Sequence, residues 1–141
     1  MRIQFDEKYF MAKAIDEAKI ALSKGEVPVG AVIVADNKII ARAHNMVEAL
    51  NDVTAHAEIL AITSASNYIG GKYLENCSIY VTLEPCQMCA GALYWSRISK
   101  IYYGAEDPKR GFLALGNLMH PKTKIYKGVL EHECKELLDK F

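Results

Sequence analysis

The sequence predicts an α/β fold of three layers, with helices packed on a five-stranded mixed central sheet. Three observations carry that prediction. Strand-like apolar runs alternate along the chain with runs of helical period. The turn Asp36-Asn37-Lys38 joins two early strands as a hairpin. Further on, a strand–helix–strand succession implies a parallel, right-handed crossover, and a hairpin plus a crossover makes the sheet mixed.

The elements follow in order. Asp6 is a natural N-cap for a first helix in which Met11, Ala14, Ile15, Ala18 and Leu22 recur at three- and four-residue spacing, with Gly25 as the stop. Residues 27–35 are nearly all apolar and read as a buried strand, with Pro28 tolerated near its start. Residues 39–43 return as the second strand. His44 and Asn45 end the hairpin, and a polar loop follows to Val53. Thr54 is placed to cap a second helix with Ile59, Leu60, Ile62 and Ala65 on its core face, broken at Gly70-Gly71. Residues 78–82 form the third strand, 86–96 a helix and 100–103 the fourth strand. A loop at Asp107-Pro108-Lys109-Arg110-Gly111 precedes a short helix over 112–119, a last strand over 124–127 and a closing helix over 130–140.

The 141 residues make one domain, 1–141, with enough apolar side chain (51%) for a sizeable core. Seventeen basic residues balance seventeen acidic ones, so no general field attracts nucleic acid or membrane. Any such surface is local, and Lys109, Arg110, Lys122 and Lys124 are its candidates. The N-terminal stretch from Met1 to Lys8 has no leader-type apolar segment, and no run reaches membrane-spanning length. A cytoplasmic protein is expected, with its four cysteines reduced. Cys77 and Cys134 are isolated and read as core residues.

Cys86 and Cys89 are different. They stand three apart at a strand-to-helix junction, so both sulfurs can reach one ion. Alone, the pair is open to a redox dithiol, half of a structural zinc site, or part of a catalytic one. His56 and Glu58, at another helix start, extend it. Two residues apart on a helix point in different directions, so they share a site only if it lies over the helix end. One nitrogen and two sulfurs would hold zinc and leave a fourth position for water, the mark of a catalytic site. Glu58 is then free to carry protons.

His56-Ala57-Glu58 with Pro85-Cys86-Gln87-Met88-Cys89 resembles the signature of the zinc-dependent cytidine deaminase superfamily. The longer stretches Glu26-Val27-Pro28-Val29-Gly30, Tyr80-Val81-Thr82-Leu83-Glu84 and Gly104-Ala105-Glu106-Asp107 are similar to its bacterial tRNA-specific adenosine deaminases. The resemblance implies a cytidine deaminase-like fold and one Zn²⁺ per subunit, held by His56, Cys86 and Cys89. Glu58 would be the proton carrier in converting adenosine to inosine at the tRNA wobble position. Asn45 would hydrogen-bond the base, Val29 and Leu83 wall its pocket, the Ala55 backbone N–H meet it, and Asp107 lie near the target nucleotide. A tRNA anticodon stem-loop and a second copy of the chain are the implied partners, with Leu93, Tyr94, Trp95 and Ile98 as candidates for the subunit interface. The alternatives are a deaminase of a free base or nucleoside such as guanine or cytosine, with the same chemistry, and a non-catalytic zinc-stabilised binding protein.

Overall fold

A computed structural model describes residues 4–141; Met1 to Ile3, part of the stretch read above for a leader, lie outside the described residues. The first helix, α1 (Glu7–Ser23), is capped as expected: the Asp6 carboxylate accepts from the Tyr9 N–H at 2.9 Å. Its buried stripe runs from Phe10 and Met11 through Ala14, Ile15 and Ala18 to Ala21. Strand β1 (Gly30–Ala35) begins later than the apolar run suggests. The chain folds back at Pro28, where the Val29 N–H donates to the Val27 carbonyl at 2.8 Å. Gly30 is required at the strand start, because a Cβ there would collide with the Ala14 carbonyl of α1.

Strand β2 (Lys38–His44) pairs antiparallel with β1. Asp36 and Asn37 both adopt positive φ, 52° and 59°, as a two-residue hairpin turn of this hand demands. The loop after the hairpin contains an unexpected single helical turn, α2 (Val47–Leu50). Helix α3 (Ala57–Ile69) starts from His56, not from Thr54. The Thr54 hydroxyl donates instead to Asp52 Oδ1 at 2.7 Å, closing a turn before the helix. Ala57, Ala61 and Ala65 form its buried row, with Leu60 and Ile62 flanking. Small side chains let α3 lie close on the sheet.

Strand β3 (Cys77–Leu83) lies antiparallel to β1, on the side away from β2. Helix α4 (Gln87–Ser96) then crosses to β4 (Lys100–Ala105), which runs parallel to β3. β5 (Lys124–Tyr126) adds parallel to β4, and α5 (Glu131–Asp139) closes the chain. The sheet order is β2-β1-β3-β4-β5, five strands and mixed, as the hairpin and crossover predict. The short helix expected over 112–119 does not form; turns and irregular chain replace it. Gly116 sits at φ 106°, and Leu113, Leu115 and Leu118 face solvent, so there is no apolar stripe to bury.

Alternate residues of the strands enter two cores. On one face Ala31, Ile33, Ile79, Val81, Ile101 and Tyr103 pack under α3 and α4. On the other, Val32, Val34, Tyr80 and Tyr102 pack under α1 and α5. There, Tyr80, Tyr102 and Tyr126 stack across three strands with centroids 4.4 and 4.7 Å apart. Cys77 and Cys134 are buried, as read from the sequence. Leu93 and Ile98 are buried as well, so they belong to the core and not to a subunit interface. Among the described residues, no helix is long and apolar enough to cross a membrane.

Candidate active site

Helix N-caps are usually Ser, Thr, Asp or Asn, whose side chains turn back to bond the helix N–H groups. Here His56 caps α3 and Cys86 caps α4, both with extended backbone (ψ 152° and 175°), and neither side chain makes a capping bond. Both are left free to project over the helix ends, where they meet. His56 Nδ1 lies 3.7 Å from Cys86 Sγ and 3.5 Å from Cys89 Sγ. All three ligand atoms fall within 4.8 Å of one another. An ion about 2.3 Å from sulfur and about 2.05 Å from nitrogen at tetrahedral angles sets an S···N separation of about 3.6 Å. The donor set and its spacing therefore fit zinc.

The two thiols are electrically unlike. Cys86 is pulled down to about 5, chiefly because the Cys89 thiol donates to it, with help from the Cys89 backbone N–H. Cys89 is pushed far up by donating to Cys86 and by burial. A cation bound between them would take both as thiolates and displace the protons they carry.

Glu58 sits in the first turn of α3, only 4% exposed. Burial is the main cause that raises its carboxyl to about 7, opposed by a bond from its own backbone N–H. A carboxyl poised there both takes and gives protons at neutral pH. It stands outside the three-ligand cluster.

Val29, Asn45, His56, Glu58, Leu83, Cys86 and Asp107 line a single cavity of about 380 Å³. A larger cavity, about 560 Å³, lies around Tyr73, Trp95 and His120 and contains none of these groups. Val29 and Leu83 contribute apolar side chains to the lining of the smaller cavity. Asn45 is nearly buried, its backbone N–H donates to the Val29 carbonyl, and its Oδ1 has no partner among the described residues. Asp107 spends one carboxylate oxygen on the Lys109 and Arg110 N–H groups of its own loop.

Ala55 does not reach the cavity. Its N–H, expected to meet the base, donates to the Asp52 carbonyl at 3.1 Å. Ala57, at the first position of α3, lines the cavity instead, and an N–H there has no carbonyl four residues back to bond. The proposed basic patch also divides. Arg110 lines the cavity, Lys122 borders the larger one, and Lys124 opens β5 at the opposite end of the sheet.

Two buried acids were not anticipated. Glu26 accepts from the Glu48 and Ala49 N–H groups at 3.0 and 2.8 Å, anchoring α2. Glu84 accepts from the Asp107 and Leu113 N–H groups at 3.0 and 3.1 Å, anchoring the loop after β4. Both line the cavity. The available signal was a lone acid bordering an apolar run at each place, since such residues are buried only when partnered.

Comparison with known proteins agrees with this geometry. Residues 5–105 match the family model described as the cytidine and deoxycytidylate deaminase zinc-binding region. The chain is 48% identical to a tRNA-specific adenosine deaminase of Aquifex aeolicus over 96% of this chain and 93% of that protein. A solved structure from a study of A-to-I editing by tRNA:A34 deaminases superposes with a TM-score of 0.88 at 43% identity, covering 94% of this chain and all of that one. A guanine deaminase structure from Bacillus subtilis matches at TM-score 0.69 and 41% identity, over 72% of this chain and 66% of its own.

Proposed function

The chain belongs to the cytidine and deoxycytidylate deaminase zinc-binding family, and we propose that it deaminates adenosine to inosine at the tRNA wobble position, releasing ammonia. The observation that carries the chemistry is the buried Glu58 with the clustered His56, Cys86 and Cys89, of which Glu58, His56 and Cys86 line one cavity. The substrate follows from near-full-length similarity to tRNA-specific adenosine deaminases. Residues 1–141 act as one deaminase domain, and with its tRNA substrate the protein works in the cytoplasm.

His56, Cys86 and Cys89 hold one zinc ion. Bound there, zinc supplies a water made acidic enough to act as a nucleophile at neutral pH. Every other role falls to side chains. Val29 and Leu83 enclose the purine and exclude bulk water. Asn45 Oδ1 accepts a hydrogen bond from the base, which satisfies its otherwise unpartnered oxygen. Glu58 takes a proton from the attacking water and delivers it to the ring nitrogen beside C6. It then passes a proton to the departing amine. Burial of the carboxyl favours its protonated form, the form that the second transfer requires.

The anticodon stem-loop is the part of tRNA that enters, with Arg110 at the cavity as a phosphate contact. A second copy of the chain covers the α4 face, where Trp95 is 77% exposed and Tyr94 lies beside it. An exposed aromatic pair of this kind is characteristic of an interface core.

The zinc-loaded protein should release ammonia and form inosine from an A34-bearing anticodon stem-loop. Guanine, cytosine and their nucleosides, assayed in parallel, test the free-base alternative that the guanine deaminase likeness keeps relevant. Turnover of those alone would overturn the tRNA reading. Stoichiometric zinc with no turnover of anything would make the chain a binding protein.

A further inference from the structure

Loop 106–113 carries Asp107 and Arg110 to the cavity and has no helix of its own. Its order comes from outside. The Glu84 side chain is 5% exposed, and both of its carboxylate oxygens are used: Oε1 on the Asp107 N–H, Oε2 on the Leu113 N–H. Those two donors bracket the loop. Gly111 passes so close that a Cβ there would collide with the carboxylate. The adjoining residues are tied as well: the Phe112 N–H donates to the Pro85 carbonyl at 3.0 Å, and Gly111 bridges to Cys86.

A buried carboxylate costs several kcal/mol unless fully bonded. This one bonds the two ends of one loop, and that loop borders the cavity. On the deaminase reading above, we propose that Glu84 is a positioning residue for the RNA substrate, locking Asp107 and Arg110 in register with the segment that bears Cys86. Both Glu84 oxygens are bonded to the loop and, among the described residues, neither is hydrogen-bonded to His56, Cys86 or Cys89, so it sets how the nucleotide is seated and not how water is activated. Asp107, with one oxygen bonded inside the loop, and the Arg110 guanidinium then face the ribose and phosphate of the target nucleotide.

Glu84→Gln tests this. The amide keeps the shape but sets an NH₂ against one of the two N–H donors. In the zinc-loaded variant, KM for the A34 stem-loop should rise about tenfold with kcat within about threefold, because lost positioning weakens substrate seating. Zinc should remain at one per chain, and the Asp107 and Leu113 amides should exchange faster with deuterium than in the parent. Ile33→Val, a core change far from the loop, gives the comparison for lost stability alone and should leave KM unmoved. If Glu84→Gln does not fold, Gly111→Ala pushes on the same carboxylate from the loop side and should give the same KM shift. An unchanged KM in the folded variant, or unchanged exchange at Asp107 and Leu113, would overturn the role of Glu84. Failure of the parent protein to convert the RNA would instead overturn the tRNA reading, and the exchange measurement would still decide whether Glu84 holds the loop.

Discussion

The zinc corner and the rim of the same cavity are built in opposite ways. In the corner, His56, Glu58, Cys86 and Cys89 all lie within four residues of a helix start, and the cores under α3 and α4 fix those starts. Its geometry is local. The rim consists mainly of α2, which buries none of its residues, and loop 106–113, which anchors only Phe112 in the core and forms no helix or strand of its own. Each is held by a buried glutamate more than twenty residues away in sequence, Glu26 for α2 and Glu84 for the loop. On the proposed function, chemistry sits on helix starts fixed by the core and substrate fit on clamped loops, a division that lets one change without the other.

If that division is real, damage to the corner and to the rim should look different. The largest effect should come from removing the ion. Chelation, or Cys86→Ala, should drop turnover to background and lower the melting temperature, since a ligand bound only to the folded state stabilises it. Metal content by mass spectrometry, read beside the activity, checks this.

Next comes Glu58→Gln, which should cost about 10²- to 10⁴-fold in kcat while one zinc per chain remains. The same variant has a stability signature in the metal-free protein. The Glu58 carboxyl rises from 4.5 to about 7 on folding, so the folded state binds the proton more tightly. Below that window both states hold the proton and the group costs nothing relative to a neutral side chain; as pH rises through it the fold loses stability, reaching a cost of about 3 kcal/mol above it. Metal-free Glu58→Gln should therefore unfold later than the parent at pH 8 and at nearly the same point at pH 4, by denaturant titration.

Changes to the cavity lining outside the corner should be smaller and fall on different parameters. Asn45→Ala removes one hydrogen bond to the base and should lower kcat/KM about ten- to a hundredfold with zinc intact. Glu26→Gln should raise KM about threefold by loosening α2, with kcat nearly unchanged. A rim variant that lost zinc, or a corner variant that altered only KM, would break the distinction.

The same division decides what could be read without coordinates. The fold was legible because period and turn chemistry are local: Asp6, the Asp36-Asn37 turn and the alternation into two cores all behave as their residue types require. The zinc corner was legible because its ligands come in two short motifs at helix starts. Thr54 misled because its hydroxyl found Asp52 before it found the helix. The stretch 112–119 misled because its leucines carry helical propensity but have nothing to pack against. For Ala55 no pattern speaks, and for the two clamping glutamates pattern marks at most a buried acid, never its partners. Which N–H is free, and which buried acid bonds it from across the fold, depends on contacts no local window contains.

The central claim is that Glu58 moves protons for a zinc site that His56, Cys86 and Cys89 hold without it. The most direct test is single-turnover conversion of an A34-bearing anticodon stem-loop by zinc-loaded protein and by Glu58→Gln, with zinc measured on the same samples. The account predicts inosine and ammonia in equal amounts from the parent, and a rate at least about a hundredfold lower from a variant that keeps one zinc per chain. A variant that works within threefold of the parent, or one that loses its zinc, would contradict it.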